Sequence, residues 1–205
     1  MSKKTKVFGI GLSKTATTSL SAALEMLDYR TKHFPIRMIK YESGELDIKP
    51  RYAEKYDAMT DIPIARFYQK LYNHFPDAKF ILTVRDMDGW LDSCRRHFWP
   101  GQILKGNNWI NKLHKEVYNA IDFDKSEYKR AYRKHKNEVF DFFEDKKDQL
   151  LVIDITDGDG WKPICKFLNE PMPDQGFPKK DCLYTEIFKV FNIQSYRNKD
   201  IELPI

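Results

Sequence analysis

Several features that would define a class of protein are absent from this sequence of 205 residues, or rare in it. Its three cysteines, Cys94, Cys165 and Cys182, are scattered, with no CxxC pair and no metal-like His/Cys spacing. This distribution argues against a disulfide framework and against a zinc site. No apolar run approaches the ~20 residues that cross a bilayer, and the N-terminus leads into a strand pattern rather than a signal peptide. We therefore expect a soluble, cytoplasmic protein.

Internal boundaries are also missing. No repeat, low-complexity tract or Gly/Ser-rich linker divides the chain, so residues 1–205 are predicted to form a single domain. The net charge of +5 favours anionic partners, but the basic residues are interspersed with 30 acidic ones. Because no basic block carries interleaved aromatic residues, we expect a phosphorylated small molecule and no nucleic acid as the partner.

Strand patterns alternate with helix patterns along the chain. This order predicts a three-layer α/β fold, with a mostly parallel sheet covered by helices on both faces. In such sheets, ligands bind at the carboxyl ends of the strands. The predicted units are strand Lys6–Gly11 with a helix through Leu20–Leu27, strand Tyr56–Thr60 with helix Ile64–Asn73, strand Lys79–Val84 with helix Met87–His97, and strand Leu150–Ile155 with helix Trp161–Leu168.

A helical insertion is predicted at residues 98–147, which contain no convincing strand. Its apolar and aromatic side chains recur at helical spacing, at Tyr128, Tyr132, His135, Val139 and Phe142. Such a stripe usually packs in a core, so His135 is expected to be a packed histidine. The insertion is also a candidate cap over an acceptor site.

The segment GLSKTATTS (residues 11–19) follows the first strand and opens the first helix. Its backbone N–H groups and the helix N-terminus favour an anion, Lys14 adds a positive charge, and Thr15, Thr17 and Thr18 add hydroxyl donors. The segment therefore predicts a phosphate or sulfate cradle. It differs from the usual GxxxxGK[ST] loop because Ser13 replaces the glycine before the lysine. A plain strand–helix turn with a Ser or Thr cap is the alternative.

A second motif lies in KFILTVRDMDGWLDSCRRH, where a buried strand ends near Arg85 and Ser93 follows eight residues later. The guanidinium fork of Arg85 suits a second phosphate, to which Ser93 would donate a further hydrogen bond. A magnesium-dependent phosphoryl-transfer enzyme would instead need a carboxylate near this edge. The alternative for Arg85 is a salt bridge with Asp86 or Asp88.

Together the two motifs resemble those of sulfotransferases that use 3′-phosphoadenosine 5′-phosphosulfate. In that family a loop of the type K-[ST]-[GA]-T-T binds the 5′-phosphosulfate, and residues 14–18, KTATT with Ala16 in the middle, match it. A strand ending in Arg, with Ser eight residues on, binds the 3′-phosphate, and Arg85 and Ser93 have that spacing. The resemblance spans most of Lys6 to Lys180. It implies a P-loop-like fold and metal-independent sulfuryl transfer to a hydroxyl or amine of a small molecule or glycan, with Ser13 also at the cofactor.

The chain departs from the family pattern at three places. Ala16 replaces the commoner glycine, and Ser19 stands where cytosolic members carry a tryptophan that stacks on adenine. The glycine-rich basic segment that closes over the nucleotide is missing, and Lys179 and Lys180 are only a weak substitute. The sequence therefore does not predict the adenine-binding residues.

Sulfuryl transfer requires a group that stabilises the leaving phosphate and a base for the acceptor. Lys14 fits the first role. Two residues at predicted strand ends fit the second: Asp61, which precedes Ile62-Pro63, and His33, with a pKa suited to proton transfer near neutrality.

Two other classes of function stay open. A nucleotide kinase or hydrolase would use Lys14 together with a magnesium ion held by Asp154, which follows the strand LLVI. A non-catalytic protein that binds anions or nucleic acid is the other alternative. The acceptor and the oligomeric state are not predicted, although residues 98–147 and 183–205 are candidate regions for acceptor specificity.

Overall fold

The computed structural model describes residues 4–98 and 108–180. Its main sheet contains five strands: Val7–Gly9 (β1), Thr31–His33 (β2), Ala58–Thr60 (β5), Lys79–Thr83 (β6) and Leu150–Ile153 (β7). A separate antiparallel hairpin, which the sequence patterns did not predict, consists of Ile39–Glu42 (β3) and Glu45–Ile48 (β4). The helices are Thr17–Met26 (α1), Ile62–His74 (α2), Met87–His97 (α3), Asn108–Tyr118 (α4), Lys125–Phe142 (α5) and Trp161–Leu168 (α6).

The main sheet has the strand order β2-β5-β1-β6-β7, and its neighbouring strands are parallel. Alternate residues of the strands point to opposite faces. Phe8 and Phe80 belong to the larger core, under α2 to α5, whereas Val7 and Ile81 belong to the smaller core, under α1 and α6. Full burial of such a side chain contributes about 1.5–3 kcal/mol. The predicted three-layer α/β fold is thus confirmed.

Residues 98–147 are helical in their described part, where α4 and α5 account for most of the chain. Tyr128, Tyr132 and Val139 on α5 are buried in the larger core. His135 is packed as predicted, and its Nε2 donates to the Ile10 carbonyl at 2.7 Å. The cap role of this region and the single-domain assignment stay predictions, and residues 183–205 lie outside the described part.

Parallel strands bring the loops of this protein to one edge of the sheet. β1 is central, with β5 on one side and β6 on the other, so the segments that follow these three strands are neighbours. The register pairs His33 with Thr60 and Thr60 with Gly9. Within the described ranges, none of the helices combines the length and apolar character needed to span a bilayer.

Candidate active site

The lysine loop, residues 10–16, connects β1 to α1 through two residues in the left-handed conformation, Lys14 at φ 72° and Ala16 at φ 65°. This conformation costs an alanine roughly 1–2 kcal/mol, which explains why glycine is commoner at this place in the family. Ala16 is the N-cap of α1, and no side chain of the described residues caps the helix there. The first N–H groups of α1 are therefore available to an anion.

Contacts within the loop fix its path. The Thr15 hydroxyl donates to the Leu12 carbonyl at 2.7 Å and also lies 2.7 Å from the Thr83 hydroxyl. A Cβ atom at Gly11 would overlap the Thr83 hydroxyl, so only glycine fits there. The side chain of Thr15 thus holds the loop itself, and the anion-binding capacity lies in the backbone, Lys14 and the start of α1.

Asp61 lies directly after β5, in a backbone conformation (φ 86°, ψ −177°) that is rare for any residue but glycine. Its Oδ1 accepts hydrogen bonds from the Ser13 hydroxyl at 2.6 Å and from the Ile62 N–H at 2.8 Å. Its Oδ2 lies 3.2 Å from His33 Nε2. Burial alone would raise the pKa of Asp61, but His33 and the two hydrogen bonds outweigh burial and lower that pKa below its ordinary value.

His33 is held between the ends of β2 and β5. Its Nδ1 is hydrogen-bonded to the Thr60 hydroxyl at 2.8 Å, and Nε2, besides facing Asp61, lies 3.4 Å from the Thr18 hydroxyl. Both ring nitrogens therefore have protein partners. The two residues that the sequence offered as alternative bases form one pair, and Asp61 also caps α2, as its structural alternative required.

Arg85 reaches from the end of β6 toward the lysine loop, where its Nη1 lies 3.4 Å from the Lys14 carbonyl. Its Nε is buried and has no hydrogen-bond partner among the described residues. The nearest carboxylate, Asp86, lies 4.0 Å away on the surface and caps α3 through the Gly89 N–H. The salt bridge with Asp86 therefore leaves Arg85 Nε without a hydrogen bond.

Ser93 lies on the buried face of α3. It follows Trp90 by three residues, which places the two side chains on the same side of the helix. The Trp90 indole donates to the Ser13 carbonyl at 2.9 Å, so this side of α3 faces the lysine loop. Arg85 and Ser93 thus both lie on the β6–α3 unit beside that loop.

Two histidines, the partly buried His97 and the buried His114, lie near these charges. The pKa of His97 falls to about 4, because burial and the charge of Lys14 lower it more than Asp61 raises it. Burial also lowers the pKa of His114, on α4, to about 4, with a smaller contribution from His97. Both imidazoles are therefore neutral at physiological pH.

Unpartnered polar atoms concentrate in this part of the molecule. Within the described residues, the buried side-chain atoms without a hydrogen bond are Arg85 Nε and a group on α4 and α5: Asn111 Oδ1, His114 Nδ1, Tyr118 OH and Tyr128 OH. The group on α4 falls at positions i, i+3 and i+7, so it shares one face of the helix. The sequence patterns did not predict this group, although the spacing of its polar residues at Asn111, His114 and Tyr118 was an available signal.

Asp154 follows β7, which β6 separates from β1 and the lysine loop. Its Oδ1 accepts hydrogen bonds from the Thr156 N–H, the Thr156 hydroxyl and the Asp157 N–H, and so caps a short 3-10 turn. In the part of the chain that is described, no group of three or more His, Cys, Asp or Glu residues is arranged to hold a metal ion.

The segment that contains Lys179 and Lys180 returns to the site. The Ser19 hydroxyl, in the first turn of α1, accepts a hydrogen bond from the Lys180 N–H at 3.0 Å. Ser19, which replaces the stacking tryptophan of cytosolic sulfotransferases, therefore binds backbone here, and the adenine-binding surface is not identified.

A parallel α/β sheet with a lysine-containing loop between its first strand and its first helix is typical of P-loop-like proteins. The sulfotransferase domain family matches residues 6–182, and the chain belongs to this family. A curated relative is the Ava biosynthesis cluster protein M of Aspergillus versicolor, 26% identical over 210 residues, covering 84% of this chain and 79% of the relative. A sulfotransferase crystal structure from Alicyclobacillus acidocaldarius has the same fold, with a TM-score of 0.54, 17% identity and coverage of 95% and 94%.

Proposed function

We propose that this protein transfers a sulfuryl group from 3′-phosphoadenosine 5′-phosphosulfate to a hydroxyl or amine acceptor, releasing 3′,5′-adenosine bisphosphate. Family membership supports a sulfotransferase. The observation that supports this donor is the buried Nε of Arg85, which has no hydrogen-bond partner in the described residues and only an ion pair with Asp86 at 4.0 Å. It provides a second anion site beside the lysine loop, and the proposed donor has a second phosphate.

The residues at the site fit this donor. The N-terminus of α1, uncapped by any described side chain, suits the 5′-phosphosulfate, and Lys14 adds the charge. Arg85 suits the 3′-phosphate, because its guanidinium fork matches phosphate oxygens and its Nη1 already touches the lysine loop. Ser93 supplies a neutral hydroxyl on the same side.

When bound, the donor supplies the sulfuryl group, whose bond to the 5′-phosphate oxygen breaks as its bond to the acceptor oxygen or nitrogen forms. Lys14 stabilises the negative charge left on the 5′-phosphate, and the N–H groups of Thr17 and Thr18 hold that phosphate in place. The Asp61–His33 pair takes the proton from the acceptor. This scheme requires no metal ion.

A small-molecule or glycan acceptor is part of the proposal. The curated relative is named for a biosynthesis cluster, which favours a small molecule. The polar face of α4, with Asn111, His114 and Tyr118, lies in the region that we expect to contact it.

The rival kinase or hydrolase would need a carboxylate for magnesium. Asp154 serves this role poorly, since one of its oxygens accepts three hydrogen bonds and its strand is not adjacent to β1. The non-catalytic alternative gives no reason for a strained Asp61 paired with His33.

Calorimetric titration with 3′,5′-adenosine bisphosphate and with ATP, each with and without magnesium, tests the proposal. We expect tight binding of the bisphosphate that does not depend on magnesium. Binding of ATP that requires magnesium would support the kinase, and binding of neither nucleotide would refute both. A steep loss of affinity for single-stranded DNA with salt would indicate a nucleic-acid protein.

A further inference from the structure

Arg85 lies just beyond the hydrogen-bonded part of β6. The Val84 N–H donates to the Ile153 carbonyl at 2.8 Å, which continues the pairing of β6 with β7. At Arg85, a side chain replaces the neighbouring strand as the hydrogen-bond partner of the backbone. The Tyr132 hydroxyl, on α5, accepts from the Arg85 N–H at 2.9 Å and donates to the Arg85 carbonyl at 2.8 Å. One phenol can do both because its oxygen is at once a donor and an acceptor.

Tyr132 is itself fixed by its neighbours. Its ring packs on Trp90 with a centroid distance of 4.6 Å, and the Trp90 indole donates to the Ser13 carbonyl at 2.9 Å. Three residues further along α5, His135 donates to the Ile10 carbonyl at 2.7 Å. One face of α5 therefore binds the backbone after β1 and the backbone after β6, which are the two segments assigned to the two phosphates.

We propose that Tyr132 is a positioning residue for cofactor recognition, which sets the location of the Arg85 guanidinium relative to the lysine loop and thereby the selectivity for a 3′-phosphate. The inference rests on the proposed function. Tyr132 does not contact the cofactor in this scheme, and it acts through the backbone of Arg85. Without the Tyr132 hydroxyl, the N–H and carbonyl of Arg85 would lose their hydrogen-bond partners. The Arg85 backbone, and with it the guanidinium, would no longer be held in one position.

The phenol has the protonation state that this role needs. Burial raises the pKa of Tyr132, and the hydrogen bond with the Arg85 backbone offsets this only in part. The hydroxyl is therefore protonated at neutral pH and can donate to the Arg85 carbonyl. A residue that merely fills the core would not need the hydroxyl, because the ring alone packs on Trp90.

Tyr132→Phe tests this difference because it removes the hydroxyl and keeps the ring. Calorimetry would give the dissociation constants of 3′,5′-adenosine bisphosphate and of adenosine 5′-monophosphate, which lacks the 3′-phosphate. The dissociation constant of the monophosphate divided by that of the bisphosphate measures the selectivity for the 3′-phosphate. We expect the ratio to fall about threefold to tenfold in Tyr132→Phe, roughly the effect of one or two lost hydrogen bonds, because the bisphosphate alone uses Arg85.

A control variant separates this effect from general destabilisation. Tyr29→Phe removes a phenol that donates to Glu170 at 3.1 Å in the smaller core, and it should leave the ratio unchanged. Should Tyr132→Phe fail to fold, Tyr132→Leu, which also lacks the hydroxyl, is required to show the same fall in the ratio.

The outcomes distinguish this inference from the proposed function. A wild-type ratio near one would overturn the proposed 3′-phosphate site, and this inference with it. A large wild-type ratio that persists in a folded Tyr132 variant would overturn the inference alone, as would an equal weakening of both nucleotides. A selective loss of bisphosphate affinity would establish the role.

Discussion

The carboxylate of Asp61 faces the imidazole of His33 at the edge of the sheet, with Oδ2 3.2 Å from Nε2. This contact follows from the parallel register, which pairs His33 with Thr60 and so brings the residue after Thr60 alongside the ring. The two candidate bases of the proposed reaction are therefore in contact.

The first prediction concerns which residue of this pair takes the proton from the acceptor. Asp61→Asn keeps an acceptor for Ser13 and Ile62 but removes the charge. It should lower the maximal rate of sulfuryl transfer to the acceptor by about 10²-fold or more while changing bisphosphate affinity little. The rate is measured as release of 3′,5′-adenosine bisphosphate from the donor. His33→Asn is the matched variant and should have the smaller effect, because it leaves the Asp61 carboxylate in place. A larger effect of the histidine change would exchange the two roles.

Lys14 provides the second prediction. Lys14 precedes the N-cap of α1 by two residues, and in the proposed reaction it stabilises the leaving phosphate, so Lys14→Ala should reduce sulfuryl transfer about 10²–10³-fold. The fold should persist because the lysine loop is fixed by Thr15, Trp90 and His135. Thermal unfolding together with the transfer rate checks both parts, and an unchanged rate would remove Lys14 from the mechanism.

The main elements of the fold were predictable from sequence because their patterns are strong and local. Helices Met87–His97 and Trp161–Leu168 have the predicted bounds, and the apolar strand at Lys79 begins as expected. The β3–β4 hairpin was missed, since Ile39–Glu42 and Glu45–Ile48 mix charged and apolar residues in short runs. Its Ser43-Gly44 turn, with positive φ at both positions, was the available signal.

The candidate site was predictable only as a set of separate positions. Motif spacing located Lys14, Arg85, Asp61 and His33, but their contacts depend on the strand order, which local patterns do not reveal. Tyr132 was seen only as a member of an aromatic stripe. Nothing in that stripe indicates that its hydroxyl would meet the Arg85 backbone, 47 positions away in sequence.

Stability at acid pH should depend on His114. Its folded pKa of about 4 lies below the ordinary value of 6.5, so between these values the unfolded chain binds a proton that the folded chain does not. Folding stability therefore falls as the pH drops through this window, by about 2 kcal/mol at pH 5 for this group. The free energy of unfolding, measured with urea, should fall less between pH 7.5 and pH 5 in His114→Gln than in the wild type. An equal loss would show that His114 is not buried in its neutral form.

The last prediction separates the sulfotransferase assignment from other uses of this fold. If Arg85 and Ser93 bind a 3′-phosphate, the wild type should prefer 3′-phosphoadenosine 5′-phosphosulfate over adenosine 5′-phosphosulfate, which lacks that group. Arg85→Ala should erase the preference, since a hydrogen bond to a charged partner contributes about 1.5–3 kcal/mol, or roughly tenfold or more in affinity. Competitive binding of the two donors measures this.

Ser93→Ala is the graded control for Arg85→Ala. A hydroxyl supplies one neutral donor where the guanidinium supplies charge and a fork, so the serine change should cost less of the preference. Because Arg85 Nε has no partner among the described residues, its removal should not destabilise the fold by loss of a hydrogen bond at that atom. Equal binding of both donors by the wild type, or equal weakening of both by Arg85→Ala, would mean that Arg85 contacts a shared group. The 5′-phosphosulfate would then be the only anion that the site recognises.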